Sequence, residues 1–225
     1  MSYKFNIGKL EFRIDFASDT ISLVSADKDI SKVFLGETIN YQGKTYKLTV
    51  IEYYAFKGCS ELTSVTIPNS VEWIGLSAFE GCSSLISITI PNSVTRIDNY
   101  AFANCSSLTS VTIPNTLKWI DKGVFKGCSS LTLVTIPNSV EWIGWEAFKG
   151  CSSLTSVRIP NSVTEIGAFA FSNCSSLTSI TIPNSVTGIG CCAFSSCTSL
   201  AIVIILNSET EIGYESFPEY TRIIR

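Results

Sequence analysis

The chain has 225 residues, 45% of them hydrophobic, and a formal net charge of −3. This apolar content is enough for one continuous core and excludes a disordered chain. The weak negative charge predicts no nucleic-acid partner, because phosphate backbones are collected by strongly basic surfaces. Every apolar stretch is much shorter than the about 20 residues that cross a bilayer, so no membrane insertion is predicted.

The first part of the chain has no regular period, but its apolar residues alternate with polar ones. Residues 10–23 and 38–50 each have the alternation of two short strands joined by a turn, which predicts two β-hairpins. The predicted turns lie at Ser18-Asp19 and at Gln42-Gly43. Because the open end of a repeat protein needs a polar cap, we predict that residues 1–50 form an N-terminal β cap.

A unit of 23 residues then recurs without insertion or deletion, and three columns of identical residues mark it. Proline followed by asparagine recurs at Pro68, Pro91, Pro114, Pro137, Pro160 and Pro183. The cysteine column consists of Cys59, Cys82, Cys105, Cys128, Cys151, Cys174 and Cys197. The phenylalanine column consists of Phe56, Phe79, Phe102, Phe125, Phe148, Phe171, Phe194 and Phe217. A period of this length is typical of a solenoid.

Two short extended segments and one turn are predicted within each unit. In the unit that starts at Cys151, residues 154–159 read L-T-S-V-R-I and end at Pro160, which suits a short strand of a parallel sheet. Residues 163–166 predict a second short strand, and residues 170–171 predict a helical or 3₁₀ turn. One unit cannot bury its own apolar side chains, so the core is predicted to form only in a stack of units.

The period also predicts how the rest of the chain is organised. Residues 51–219 are predicted to contain about seven repeats. Residues 220–225 are predicted to form the terminal strand of a partial repeat, in which Tyr220 and Ile223 take the cysteine and leucine slots.

The frame L-x-x-V-x-I-P-N-S-V-x-x-I-G-x-x-A-F-x-x-C resembles the BspA-like leucine-rich repeats, the 23-residue class also called the Treponema pallidum type, over residues 51–217. The resemblance implies a right-handed leucine-rich-repeat solenoid with a parallel β-sheet on its concave side. Short second strands and 3₁₀ or helical turns are implied on the other side. The frame is broken by Asp98 and Asp121 in the glycine slot, by Val124 in the alanine slot and by Leu206 in the proline slot.

The residues needed for catalysis are not assembled in any motif of this sequence. The chain has no histidine, which excludes Ser-His-Asp and Cys-His systems and most zinc chemistry. Carboxylates at repeat positions are predicted to face solvent, and no phosphate-binding glycine loop is present. We therefore predict that the chain is not an enzyme and that it has no cofactor and no metal site.

The cysteine column is predicted to consist of buried free thiols. Identical positions in stacked units direct their Cβ atoms in parallel, which disfavours disulfides between neighbours. The residues are therefore interpreted as small buried hydrophobes. Cys191 and Cys192 lie outside the column. If either of them is exposed, it is the reactive thiol.

Hydroxyl side chains form two columns on the outward side of the predicted main strands. We predict a candidate binding surface on the concave side at Ser64, Thr66, Ser87, Thr89, Ser110, Thr112, Leu133, Thr135 and Arg158. Three interpretations remain open: an exposed sheet whose hydroxyls are solvated, a docking surface for a protein, or a threonine array that orders water as in ice-binding solenoids.

An aromatic edge is predicted in the slot before the repeated isoleucine. Its members are Trp73, Arg96, Trp119, Trp142 and, three residues further on, Trp145. An arginine between tryptophans predicts cation–π contact. The edge is either a ladder that packs on itself or a surface for a partner or for self-association.

What the resemblance implies about function is adhesion by a microbial surface or secreted protein. The partners implied are host or extracellular-matrix proteins such as fibronectin or fibrinogen. A structural or self-assembling scaffold is the alternative hypothesis, and ice binding is a weaker one. The first ten residues do not have the pattern of a signal peptide, so the location is implied by the resemblance alone.

Overall fold

The computed structural model describes residues 2–225 as a β-solenoid of about nine turns. Its strands are numbered along the chain. The N-terminal strands are β1 (Ser2–Ile7), β2 (Leu10–Asp15), β3 (Thr20–Ala26), β4 (Lys32–Phe34), β5 (Thr38–Tyr41) and β6 (Lys44–Ile51). The main strands that follow are β7 (Ser64–Thr66), β9 (Ser87–Thr89), β11 (Ser110–Thr112), β13 (Leu133–Thr135), β16 (Ser179–Ile182), β18 (Ile202–Ile205) and β20 (Arg222–Ile224). The second strands are β8 (Trp73–Ile74), β10 (Arg96–Ile97), β12 (Trp119–Ile120), β14 (Trp142–Ile143), β15 (Glu165–Ile166), β17 (Gly188–Ile189) and β19 (Glu211–Ile212).

The main strands stack in parallel, as predicted. One part of the main sheet has the order β4-β7-β9-β11-β13, and the other has the order β16-β18-β20. Residues one period apart are neighbours, so Ser110 pairs with Ser87 on one side and with Leu133 on the other. The two parts are separated by one coil, which contributes only a bridge between Thr135 and Arg158.

The second strands form parallel sheets as well, with an interruption between β10 and β12. Where glycine follows a second strand, the preceding coil lies close to it, because a Cβ on Gly144 would lie 2.7 Å from the Ile120 carbonyl oxygen. The Gly144 amide donates to that same oxygen at 2.8 Å. In the preceding coil the slot holds Asp121, and the corresponding hydrogen bond to Ile97 is absent in the described chain. Asp98 occupies the same slot one coil earlier, and its amide still donates to Ile74 O at 2.9 Å. An aspartate in this slot therefore does not by itself account for the missing bond between the coils of β10 and β12.

The predicted 3₁₀ or helical turns are not confirmed, since the segments around the phenylalanine column are turns without a helix. The Ala170 amide donates to Gly167 O of its own coil at 3.2 Å, whereas the Phe171 amide donates to Ala193 O of the next coil at 2.8 Å. Phe169 has a φ of 57°. Hydrogen bonds within the coil thus alternate with bonds to the next coil. A 3₁₀-helix needs consecutive bonds within one segment, so this segment is a series of turns and not a helix.

Both N-terminal hairpins are present, and they join the stack. Strands β2 and β3 pair antiparallel, as do β5 and β6, with φ of 50° at Gln42 and 81° at Gly43 in the second turn. Strands β1 and β4 were not predicted. Parallel stacking already begins here, since β3 pairs with β6 and β4 pairs with β7. The division of the chain into cap, repeats and terminal strand stays a prediction, and β6 crosses residue 50.

The predicted register of the last strand is wrong. Ile223 pairs with Val203, 20 residues before it, and therefore takes the valine slot rather than the leucine slot. Phe217 still stacks on Phe194, with ring centroids 5.2 Å apart. The segment from Phe217 to the start of β20 is thus shorter than the segment from phenylalanine to the next main strand in other units. Tyr220 does not replace the buried cysteine, because its hydroxyl reaches the Cys197 carbonyl oxygen from an exposed position.

A continuous core runs through the stack, and the phenylalanine column forms its spine. Successive rings are nearly parallel, with centroids 4.9 to 5.7 Å apart. Aromatic pairs of this kind contribute about 0.5–1.5 kcal/mol each beyond the area they bury. The stacking fixes each coil over the next.

The cysteine column is buried, as predicted. The Cys82 thiol donates to the Phe56 carbonyl oxygen at 3.2 Å, and the Cys105 thiol donates to Phe79 O at the same distance. Burial raises the pKa of the Cys82 thiol to about 12. Each thiol thus satisfies a turn carbonyl of the preceding coil.

Candidate binding surfaces

The outward side of the main strands forms a surface that we name the hydroxyl face. Its first column consists of Lys32, Ser64, Ser87, Ser110, Leu133, Ser156, Ser179, Ile202 and Arg222. Its second column consists of Phe34, Thr66, Thr89, Thr112, Thr135, Arg158, Thr181, Ile204 and Ile224. All of these side chains are exposed. The structure therefore brings together every residue of the predicted concave surface.

Charge is distributed unevenly between the hydroxyl face and the rest of the chain. The two columns contain no carboxylate, and their only charged residues are Lys32, Arg158 and Arg222. The whole chain nevertheless has a net charge of −3. The hydroxyl face is thus a neutral to cationic surface on an acidic protein.

Arg158 lies where the main sheet is interrupted. Thr132 N donates to Thr109 O at 3.0 Å, but the equivalent bonds from Thr155 and Thr178 are absent in residues 2–225. Clefts of about 390 and 380 Å³ lie on the two sides of this coil, and Arg158 lines both. Arg158 has no ion pair within the described part of the chain. Its guanidinium is free to bind an external acceptor.

At the aromatic edge, the predicted cation–π contact is present at Trp73. The Arg96 guanidinium carbon lies 5.2 Å from the centre of the Trp73 ring. Asp98 holds both groups, since its carboxylate accepts from Arg96 Nε at 2.6 Å and from Trp73 Nε1 at 3.1 Å. Tyr53 packs edge-on against Trp73, with centroids 5.1 Å apart. Sequence reasoning recorded Asp98 only as a departure from glycine and did not predict this role.

The other tryptophans of the edge do not stack on one another. Trp119 pairs with Trp142 along the backbone of β12 and β14, but the aromatic contacts within residues 2–225 include no pair of tryptophans. Trp119 is 57% exposed and Trp145 is 56% exposed. The Lys122 ammonium lies 5.8 Å from the Trp145 ring centre. Large aromatic surfaces of Trp119 and Trp145 are therefore free for contact with another molecule.

Asp121 is a half-buried carboxylate beside Trp119. It accepts no hydrogen bond and forms no ion pair in the described chain. Burial raises the pKa of Asp121, the negative charge of Asp98 raises it further, and Arg96 lowers it. A cavity of about 430 Å³ opens at this point, lined by Thr95, Arg96, Ile97, Leu117, Lys118, Trp119 and Asp121.

Neither a metal centre nor a membrane span is found in the part of the chain that the structure describes. Within it, no three histidine, cysteine, aspartate or glutamate side chains are close enough together to hold a metal ion. It also has no helix of the length and hydrophobicity that a bilayer requires. Outside the cysteine column, Cys191 is exposed and Cys192 is partly exposed.

Parallel stacking, the 23-residue period and the constant phenylalanine column define a leucine-rich-repeat solenoid. The profile of the BspA type leucine rich repeat region matches residues 31–152 and 118–224, with 6 copies in total. The chain therefore belongs to the BspA-type leucine-rich repeat family, which confirms the resemblance. Repeats of this family are protein-interaction modules, and their solenoid fold is typical of non-enzymatic proteins. No curated protein matches the chain.

Solved bacterial structures share the fold. A leucine rich cell surface protein from Faecalibacterium prausnitzii is 32% identical, with a TM-score of 0.80 over 92% of this chain and 55% of that protein. The T. pallidum leucine-rich repeat protein is 31% identical, with a TM-score of 0.76 over 88% of this chain and 91% of that one. A leucine-rich repeat protein from Eubacterium ventriosum is 26% identical, with a TM-score of 0.73 over 87% of this chain. The chain spans about half the length of the Faecalibacterium and Eubacterium proteins.

Proposed function

We propose that the chain is a protein-binding module and that the hydroxyl face contacts its partner. The observation that carries the proposal is the absence of carboxylates from the two outward columns of the face. A partner can therefore approach along the whole stack without meeting a negative side chain, although the protein as a whole is acidic.

The shape and chemistry of the hydroxyl face support protein binding. About nine parallel strands at roughly 4.8 Å spacing give a surface about 40 Å long. Serine and threonine hydroxyls both donate and accept hydrogen bonds, and Leu133, Ile202 and Ile204 supply apolar area. Arg158 adds a cation of the type enriched at interfaces. The same threonine column is broken by Arg158 and Ile204, which does not favour a regular array for ice binding.

The finer proposal concerns location and biological role. We infer that the chain is part of a microbial surface or secreted protein that adheres to host or extracellular-matrix proteins, and that it has no catalytic role. The Faecalibacterium relative, which is described as a cell surface protein, supports the location. Nothing in the residues of the face selects one matrix protein over another, so the partner has to come from a screen.

The test is a binding screen of the purified chain against immobilised extracellular-matrix and cell-surface proteins. The face variant is Ser110→Glu/Thr112→Glu, which places two carboxylates on the exposed side of β11. A matched control is Thr164→Glu/Thr187→Glu, which adds two carboxylates at exposed positions off the face. Saturable binding that is lost only in the face variant is expected. Binding that survives there but is lost in Trp73→Ala/Trp119→Ala would assign the function to the aromatic edge instead.

Self-association is the second candidate function, and the exposed rings of Trp119 and Trp145 favour it. Sedimentation velocity over a hundredfold range of concentration tests it. A concentration-dependent dimer that Trp119→Ala weakens would support a self-assembling scaffold, and a monomer at all concentrations would exclude it.

A further inference from the structure

The second sheet is open at one place, between β10 and β12. The Phe102 and Phe125 rings, which belong to these two coils, have centroids 5.7 Å apart, against 4.9 to 5.5 Å for the other neighbouring pairs of the column. The wider spacing of these two rings agrees with the opening of the second sheet at this place. The opening produces a groove between neighbouring coils at the aromatic edge, with Trp119 and Asp121 among its lining residues.

The charges around this groove leave one carboxylate without a partner. Arg96 is paired with Asp98 at 2.6 Å. Lys118 is paired with Glu141 at 2.7 Å. Asp121 forms no ion pair within the described chain, and Arg96, which also lines the groove, offsets its negative charge only in part.

We propose that this groove binds a lysine or arginine side chain of a protein partner. The Asp121 carboxylate accepts a hydrogen bond from the ammonium or guanidinium group. The exposed ring of Trp119 packs against the aliphatic stem and faces the cation. The site lies on the second strands and is distinct from the hydroxyl face, so it stands or falls independently of the proposed function.

Charge complementarity and the burial of Asp121 select this occupant. Burial raises the pKa of Asp121, and a bound cation would offset the unfavourable placement of its negative charge. A small metal ion is a poor fit, because hard cations take six or more oxygen ligands and one free carboxylate supplies at most two. An aromatic ring beside a single carboxylate matches the amphipathic side chains of lysine and arginine.

The test follows the four tryptophan indole N–H signals of the ¹⁵N-labelled chain by NMR. The probes are Nα-acetyl-arginine amide, Nα-acetyl-lysine amide and the uncharged Nα-acetyl-norleucine amide. We expect saturable shifts of the Trp119 indole signal with the two cationic probes, no saturable shift with the uncharged one, and little change at Trp145. Asp121→Asn should weaken binding about tenfold, the loss of one charge-assisted contact. Glu165→Gln, an exposed carboxylate two coils away on the same edge, is the matched control and should not weaken it.

Three results would overturn the proposal. One is the absence of a Trp119 shift with either cationic probe, and another is an equal shift with norleucine amide. The third is a Trp119 signal that moves with protein concentration alone, which would place a second copy of the chain in the groove. Asp121→Gly, which introduces the residue that most other coils have in this slot, replaces Asp121→Asn if the latter does not fold.

Discussion

At the level of single residues, Asp121 lies at the place where the second sheet is open. Glycine occupies its slot in most coils because a Cβ there would meet the backbone of the preceding coil. The carboxylate is also half-buried and unpaired, and burial raises its pKa. The charge of Asp121 therefore reduces stability.

Removing the charge of Asp121 is predicted to stabilise the protein at neutral pH. A raised pKa means that the folded state binds the proton more tightly than the unfolded state does, so the ionised form reduces stability. Asp121→Asn should raise Tm at pH 7 by about 2 °C, measured by thermal unfolding followed by circular dichroism. The difference should disappear near pH 3, where the aspartate is protonated in both states. An equal gain at both pH values would contradict the electrostatic explanation.

The cysteines are predicted to fall into two reactivity classes. Burial raises the pKa of the Cys128 thiol to about 12 and that of Cys197 to about 11, whereas Cys191 is exposed. Since the thiolate is the reacting form, the native protein at pH 8 should react rapidly with a thiol reagent only at Cys191 and more slowly at Cys192. Full reaction should require denaturant. Mass spectrometry locates the labelled residues. Rapid labelling of Cys128 in the native state would show that the reagent reaches the cysteine column and would contradict its burial.

At the level of elements, the stack gains its stability from contacts between neighbouring coils. Each main strand has only about three residues, which is too short to be stable alone. The phenylalanine and cysteine columns connect the coils in register, and the turns donate hydrogen bonds to the next coil. A change in one coil is therefore expected to act on its two neighbours.

Replacing a phenylalanine of the column by alanine is predicted to lower the free energy of unfolding more in the middle of the column than at its end. Phe125 is fully buried and stacks on both Phe102 and Phe148. Phe125→Ala should lower the free energy of unfolding by about 3–5 kcal/mol. Phe217 is only partly buried and stacks on Phe194, so Phe217→Ala should cost clearly less. Urea denaturation provides both values, and equal losses would contradict a core that forms by stacking.

At the level of the whole molecule, the sequence predicted the solenoid because the same local sequence recurs at a fixed interval. Identical residues one period apart occupy identical environments, so the buried columns and the exposed hydroxyl columns followed from the spacing alone. The first 50 residues show where this reasoning ends. Strand β4 belongs to the main stack, but it precedes the periodic part and has no repeat frame by which to recognise it.

The features that distinguish individual coils were not predictable in the same way. The sheet opening between β10 and β12 has no counterpart between β8 and β10, although Asp98 departs from glycine in the same slot as Asp121, so the repeat pattern did not predict its place. The register of β20 changed because the connection after Phe217 is shorter, and neither cysteine nor leucine marks the final unit. The predicted site residues lie on two surfaces, but the roles of Asp98, Asp121 and Lys118 became visible only in the three-dimensional structure.

The hydroxyl face is tested most directly by binding measurements on Arg158→Glu by surface plasmon resonance, with the protein partner that the screen captures. This change places a carboxylate at the centre of a face that has none, in a side chain that lines both clefts. We predict affinity at least tenfold weaker than that of the original chain, because a like or unpaired charge at an interface centre is strongly unfavourable. Unchanged affinity in Arg158→Glu and in Ser110→Glu/Thr112→Glu, with both variants folded, would show that the partner binds elsewhere on the solenoid.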